Sequence, residues 1–197
     1  MDDGGNGILQ VDGNFTLNGT YAGNSILRLR GSGSVIDGTG TITNTASLDI
    51  QDGDKTIAST ANLTKNTGNI RYRETGITIT NNGTITIGAN LQGFDAASVW
   101  VNSTNSTLNI AGVMMTTGVL DASATGNTVN YSSSAAQVVK VPSSSYYNLT
   151  VTNPSIRTLQ ANTDINGTFT INAGATVDVS SYDVTIAGNF TNNGGTF

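Results

Sequence analysis

The segment LDIQDGDK places three carboxylates, Asp49, Asp52 and Asp54, close together in the chain. Carboxylate oxygens are the ligands that Ca²⁺ prefers, so the segment is a candidate metal site. Its spacing differs from that of the EF-hand loop, and no glutamate follows at the position of the bidentate ligand. We therefore expect a solvated corner here, with calcium as the less favoured alternative and no other cofactor.

Two pairs of arginines could bind an anion. Arg28 and Arg30 lie in LRLRG, and Arg71 and Arg73 lie in IRYRE, further along the chain. Alternate residues of a strand project to the same side, so each pair would place two guanidinium groups on one face. The four arginines are candidates for a basic patch that binds an acidic polysaccharide, which is the less favoured of two interpretations. The alternative is a solvated face on which Arg71 or Arg73 pairs with Glu74.

The only tryptophan, Trp100, lies between two valines in SVWVNSTN. In a strand, Val99 and Val101 point to one side and Trp100 to the other. An exposed aromatic ring is a common anchor for a sugar or a protein. Alternatively, the neighbouring LQGFDAAS corner covers the ring with Phe94.

Composition excludes several kinds of chemistry. The chain has no cysteine and no histidine, which removes disulfides, thiolate chemistry, the usual zinc sites and the commonest general base. A net charge of -5 argues against nucleic acid as a partner. No apolar run is long enough to span a membrane as a helix, so we expect no membrane insertion.

The polar residues favour strands over helices. Thr, Asn, Gly and Ser make up about half the chain, and all four are poor helix formers. Hydrophobic residues still account for 37%, many of them Ile, Val and Leu in alternation with Thr. Alternation of this kind predicts an all-β protein and argues against disorder.

A short repeat runs through the chain. One series of apolar positions recurs at nearly constant intervals: Ile85, Leu108, Val129, Leu149, Phe169 and Phe190. A second series recurs with the same period and no variation: Ile79, Val99, Val119, Val139, Leu159 and Val179. Columns of equivalent residues are what a parallel β-helix requires, because each coil stacks on the previous one. The two arginine pairs are separated by close to two such repeats.

The predicted fold is therefore a parallel β-helix, or β-solenoid, with coils of about 20 to 21 residues. Roughly nine coils fit residues 1–197 as a single domain, which gives a rod about 45 Å long. Asn-Gly pairs such as those at Asn82 and Asn166 are expected at corners, where a positive φ costs Gly little.

The second series also predicts which residues face outward. If Val99 belongs to the core column, Trp100 projects into solvent with Leu120 one coil further along. With Tyr146 and Tyr147, these residues are the candidate carbohydrate-binding surface. Outward Thr columns would also suit an ice-binding protein, but Leu108, Asn130 and Tyr131 are expected to interrupt them.

Several segments from about Ile85 onward resemble repeats of very large secreted surface proteins of Bacteroidota-type bacteria. The resemblance is carried by NTVNYSSSAAQVVKVPSSSYYNLTVTN and by the later GNFTNNGGTF. It implies a β-helical stalk or adhesin segment that is exported and displayed at the cell surface, without catalytic residues.

Together these observations predict a non-catalytic extracellular module: a stalk, adhesin segment or filament subunit. The chain stops in mid-repeat at TNNGGTF, so we expect a segment of a longer protein or a unit that stacks end to end. Its expected partners are adjoining repeats, other copies of itself, surface glycans or other cell-surface proteins. The alternative function is a carbohydrate-binding module centred on Trp100.

Overall fold

The computed structural model describes residues 7–197, and all regular secondary structure in that range is β-strand. Among these residues no helix is long and apolar enough to cross a membrane. Twenty-five short strands wind in one direction, and the strands of successive coils pair in parallel. The predicted parallel β-solenoid is confirmed.

The strands belong in turn to three faces. Face 1 contains β1 Ile8–Val11, β4 Ile26–Leu29, β7 Leu48–Ile50, β10 Ile70–Tyr72 and β13 Leu91–Gln92, then β18 Gln137–Val138, β20 Ile156–Thr158 and β23 Thr176–Asp178. Face 2 contains β2 Phe15–Thr16, β5 Ser34–Asp37, β8 Lys55–Ile57, β11 Thr78–Asn81, β14 Val99–Asn102 and β16 Val119–Asp121, then β21 Thr163–Ile165 and β24 Val184–Ile186.

Face 3 is a single sheet of nine strands, one from each coil. It contains β3 Thr20–Tyr21, β6 Thr41–Ile42, β9 Asn62–Lys65, β12 Thr84–Ile87, β15 Thr107–Ile110, β17 Thr128–Tyr131, β19 Asn148–Val151, β22 Phe169–Ile171 and β25 Phe190–Asn192. The ladders of faces 1 and 2 are weaker near the middle of the rod. There, an isolated parallel β-bridge pairs Leu91 with Met114 on face 1, and another pairs Ala122 with Tyr146 on face 2.

Alternation of side chains builds the core. In β12, Ile85 and Ile87 are buried while Thr84 and Thr86 face outward. The first apolar series forms one column, because Ile85 pairs with Leu108 and the later members follow in register. The column is buried except at Phe190 in the last coil. β-Branched residues suit such a pleated surface, which explains why so polar a sequence forms strands.

The second apolar series is not a column. Ile79 pairs with Trp100, the residue after Val99. The coil is therefore one residue longer than the constant period assumed, and Val99 lies on the opposite side of the pleat. Val99 and Val119 consequently face outward, and the prediction that Trp100 projects into solvent is wrong. Val139 and Leu159 are buried, but they lie beside face 1 strands, on another side of the rod.

Coil length varies while the three faces persist. The step along a ladder is shorter from Ile8 to Ile26 than from Lys55 to Ile79. The difference is absorbed at the corners. Gly83, in a predicted Asn-Gly corner, has no positive φ; it is required instead because a Cβ there would lie 2.3 Å from the Ala58 carbonyl oxygen of the preceding coil.

Candidate functional site

Three arginines converge on one aspartate on the outer side of face 1. β7 lies between β4 and β10, so that Asp49 is the neighbour of both Arg28 and Arg71 in the ladder. Arg71 donates two hydrogen bonds to the Asp49 carboxylate, at 2.8 and 3.1 Å. Arg73 Nε lies 3.4 Å and Arg28 Nη2 4.0 Å from Asp49 Oδ2.

The arginines cover Asp49 completely, since its side chain is 0% exposed whereas theirs remain 17 to 29% exposed. A buried carboxylate requires such partners because an unpaired charge is costly away from water. Asp49, Arg28, Arg71 and Arg73 form the Asp49 cluster, whose formal charge sums to +2. The two arginine pairs therefore lie two coils apart on one face, and anion binding by this basic patch stays a prediction.

The other two carboxylates of the acidic segment have separate partners. Asp52 accepts a hydrogen bond from Arg30 Nε at 2.5 Å, and this contact raises the pKa of Arg30. Asp54 accepts one from the backbone N–H of Thr78 at 2.7 Å. Across the described part of the chain, no group of three His, Cys, Asp or Glu side chains is placed to hold a metal ion.

Trp100 is a core residue, 0% exposed. Its indole Nε1 donates to Asn102 Oδ1 at 3.2 Å, and Asn81 Nδ2 donates to the same oxygen at 2.9 Å. Leu120, its neighbour in the next coil, is also buried. A sugar ring cannot stack on either side chain, so the predicted platform at Trp100 and Leu120 is wrong.

The two candidate tyrosines differ in exposure. Tyr146 is fully buried, and its hydroxyl lies 2.9 Å from that of Tyr131. Burial raises the pKa of Tyr131 to about 12 and raises the pKa of Tyr146 well above its ordinary value. Both phenols therefore stay protonated at neutral pH and join neighbouring coils. Tyr147 is half-buried.

Three buried cations were not predicted from the sequence. Lys55, Lys65 and Arg157 are at most 1% exposed, and each donates to several backbone carbonyls at a corner. Lys65 Nζ lies 2.9 Å from the Asn44 carbonyl oxygen and 3.1 Å from that of Ala46, and it also contacts the carbonyl of Thr67. Burial lowers the pKa of Lys65 to about 8. These cations satisfy backbone carbonyl oxygens at the corners, as a bound metal ion could do.

A groove of about 690 Å³ opens where the ladder of face 1 is interrupted, between Met114 and β18. Val113, Val138 and Val141 expose apolar surface in its wall. Lys140 is the titratable side chain in the described lining, and partial burial lowers its pKa. The groove therefore offers apolar contacts and one cation.

Comparison with protein families, curated proteins and solved structures finds no match to this chain. The candidate sites are therefore assessed from the positions and contacts of their residues alone. That geometry places most of the predicted residues in packing and ion pairing, and it leaves the outer faces and the two terminal coils as the available surfaces.

Proposed function

We propose that the chain is a non-catalytic structural module, a rigid extracellular β-solenoid that acts as a stalk, adhesin segment or filament subunit on a bacterial surface. The observation that carries this proposal is the unbroken sheet of face 3, in which nine strands pair in one register. Such a sheet resists stretching along the rod, because backbone hydrogen bonds between coils must break before the rod can lengthen.

The use of titratable side chains supports a structural role. Lys65 and Arg157 donate to backbone carbonyls, and Asp49 accepts hydrogen bonds from Arg71. A general acid or base must instead reach a substrate proton with a suitable pKa. Chemistry of that kind would require these groups to leave the contacts that stabilise the corners.

The surface location is inferred from composition and resemblance. The Thr/Asn-rich strands resemble repeats of large secreted surface proteins of Bacteroidota-type bacteria. A chain without cysteine does not depend on the redox state of its compartment. Half-buried Thr and Asn keep the rod hydrated outside the cell.

The terminal coils support adjoining repeats or further copies as partners. Ile8 and Leu9 in β1 are each 43% exposed, and Phe190 and Phe197 at the other end are 50% and 56% exposed. Within residues 7–197, β1 and β25 each pair with a strand on one side only, and such an edge can accept a new strand. Another coil of the same kind would satisfy both the backbone groups and the apolar side chains.

Single-molecule pulling tests the mechanical role. With the chain held at its two ends, we expect repeated force peaks, and release of one coil adds about 70 Å of extended chain. Val139→Asp, which places a charge at a buried position, should remove peaks, whereas Val138→Asp at the exposed neighbour should keep them. Extension of the parent chain without force peaks would refute the proposal.

A further inference from the structure

The outward side of face 3 carries only two residue types. Every outward side chain of its nine described strands is Thr or Asn: Thr20, Thr41, Asn62, Thr64, Thr84, Thr86, Thr107, Asn109, Thr128, Asn130, Asn148, Thr150, Thr170 and Thr191. We call this set the Thr/Asn face. The other two faces include charged or apolar outward residues, such as the Asp49 cluster on face 1 and Val99 and Asp121 on face 2.

The Thr/Asn face is a regular two-dimensional array. One column takes a residue from every coil, from Thr20 to Thr191, without a slip of register. A second column, two positions earlier in each strand, runs from Asn62 through Thr84, Thr107 and Thr128 to Asn148. Neighbours are about 4.8 Å apart across strands, and the two columns are about 6.6 Å apart along them.

Side-chain hydrogen bonds hold part of the array in place. Asn109 Nδ2 donates to Thr86 Oγ1 at 3.2 Å, and Asn130 Nδ2 donates to Asn109 Oδ1 at 3.0 Å. Thr side chains are further limited to few rotamers because they branch at Cβ. The array is therefore ordered before any ligand arrives, which lowers the entropic cost of binding.

Other hydroxyl groups of the array face water. Among the described residues, the side-chain hydroxyls of Thr84, Thr107, Thr150 and Thr170 have no protein partner, and each of these residues is half-buried. Two of the three residues expected to interrupt the threonine columns do not do so, whereas Asn130 does replace a threonine in the outward column. Leu108 and Tyr131 point into the core and are 0% exposed.

We propose that the Thr/Asn face binds the surface of crystalline ice. Ice presents neutral hydroxyl groups at regular spacings, and this face presents ordered hydroxyl, amide and methyl groups at regular spacings without a charge. Water held by the threonine hydroxyls can join the ice lattice, while the methyl groups limit competing water orientations. The proposal stands on this surface and is independent of the mechanical role.

Regularity and neutrality favour ice over a soluble ligand. A small ligand is usually held in a concave site by a few convergent polar groups. The Thr/Asn face instead repeats the same groups over nine strands, so its binding energy would accumulate only on a ligand that repeats as well. A charged polymer would find no ionic partner among these side chains.

Freezing-point measurements on the purified chain test the proposal, with ice itself as the probe. We expect a gap between melting and freezing temperatures and facetted ice crystals. Thr107→Lys, in the middle of the face, should lose most of this activity. Thr80→Lys is the matched control because Thr80 is a half-buried outward threonine on β11 of face 2, and it should retain the activity.

A second measurement needs no variant. Fluorescently labelled parent chain should be incorporated into a growing ice crystal on particular planes. Circular dichroism melting of both variants establishes that they are folded. Exclusion of the parent from ice, or equal loss of activity in Thr107→Lys and a folded Thr80→Lys, would overturn the proposal while leaving the mechanical role standing.

Discussion

At the scale of single residues, the most informative side chains are the buried cations. Lys65 occupies an inward position between Ile42 and Ile87 in its column, where an apolar residue would ordinarily pack. It is accommodated because its ammonium group reaches the carbonyl oxygens of the neighbouring corner. Corners expose more backbone acceptors than a parallel ladder can satisfy, and an internal cation meets that need.

Lys65 should make stability depend on alkaline pH. Burial lowers its pKa to about 8 in the folded chain, whereas its ordinary value is 10.5. Between these pH values the unfolded chain binds more protons than the folded chain, so the free energy of unfolding should rise with pH across this window. Urea unfolding at several pH values, from neutral to moderately alkaline, measures the rise.

Lys65→Met is the comparison for this prediction. The variant should be less stable at neutral pH by about 1–3 kcal/mol, because carbonyl groups lose their partner. In this variant, the free energy of unfolding should also increase less with pH, because the titration of Lys65 is absent. Equal pH dependence in the parent chain and in Lys65→Met would show that Lys65 does not titrate in this window.

At the scale of strands and corners, face 3 was predictable and the other faces were not. The column from Ile85 to Phe190 follows from alignment of the alternating segments themselves, which tolerates a longer step from Ile85 to Leu108 than from Val129 to Leu149. The column through Trp100 failed because the coil from Ile79 to Trp100 is one residue longer than the constant period assumed. One residue reverses inside and outside, so an unnoticed corner insertion misplaces a whole strand.

The Asp49 cluster shows a similar limit. The spacing of the arginine pairs correctly suggested two coils, yet Asp49 was assigned to a solvated corner. Its neighbours in the ladder are Arg28 and Arg71, and the coils that separate it from them differ in length, which only the structure reveals. Lys65 could have been identified from alternation in NLTK, but a charged residue at an inward position contradicts the usual expectation.

Close stacking of corners can be tested at Gly38. Its φ is 107°, and an added Cβ would lie 2.1 Å from the Leu17 carbonyl oxygen of the previous coil. Gly76 also has a positive φ, of 73°, but nothing lies within 4 Å of its Cβ position. Gly76→Ala should therefore cost about 1–2 kcal/mol from backbone strain alone.

Gly38→Ala should cost about 1–3 kcal/mol more, because the neighbouring coil must also move. The midpoints of urea unfolding compare the two variants directly. Equal midpoints would mean that the corner at Gly38 accommodates the added methyl group without displacing Leu17 of the previous coil.

At the scale of the whole molecule, the first and last described coils expose apolar side chains that other chains could contact. Phe169, Phe190 and Phe197 form an aromatic cluster at the end of the chain, with ring centroids 5.8 to 6.0 Å apart. Phe190 is 50% exposed and Phe197 is 56% exposed. At the other end of the described chain, Ile8 and Leu9 of β1 are each 43% exposed.

End-to-end association should therefore depend on Phe197. We expect the parent chain to lengthen as its concentration rises, which sedimentation velocity and electron microscopy can follow. Phe197→Lys should remain a monomer because its charge would be buried between rods. Ile156→Lys, at a residue 47% exposed on β20 and therefore away from the last coil, is the control and should associate like the parent. Equal association of the two variants would exclude contact through the aromatic end.

The single winding direction of the strands has a consequence for anything built from this rod. Parallel coils make the molecule chemically directional: its leading edge and its trailing edge are different surfaces and cannot be exchanged. Units joined in series by unlike surfaces produce an open chain with a fixed heading and no natural closure. The rate at which subunits add to such a filament could therefore differ between its two ends.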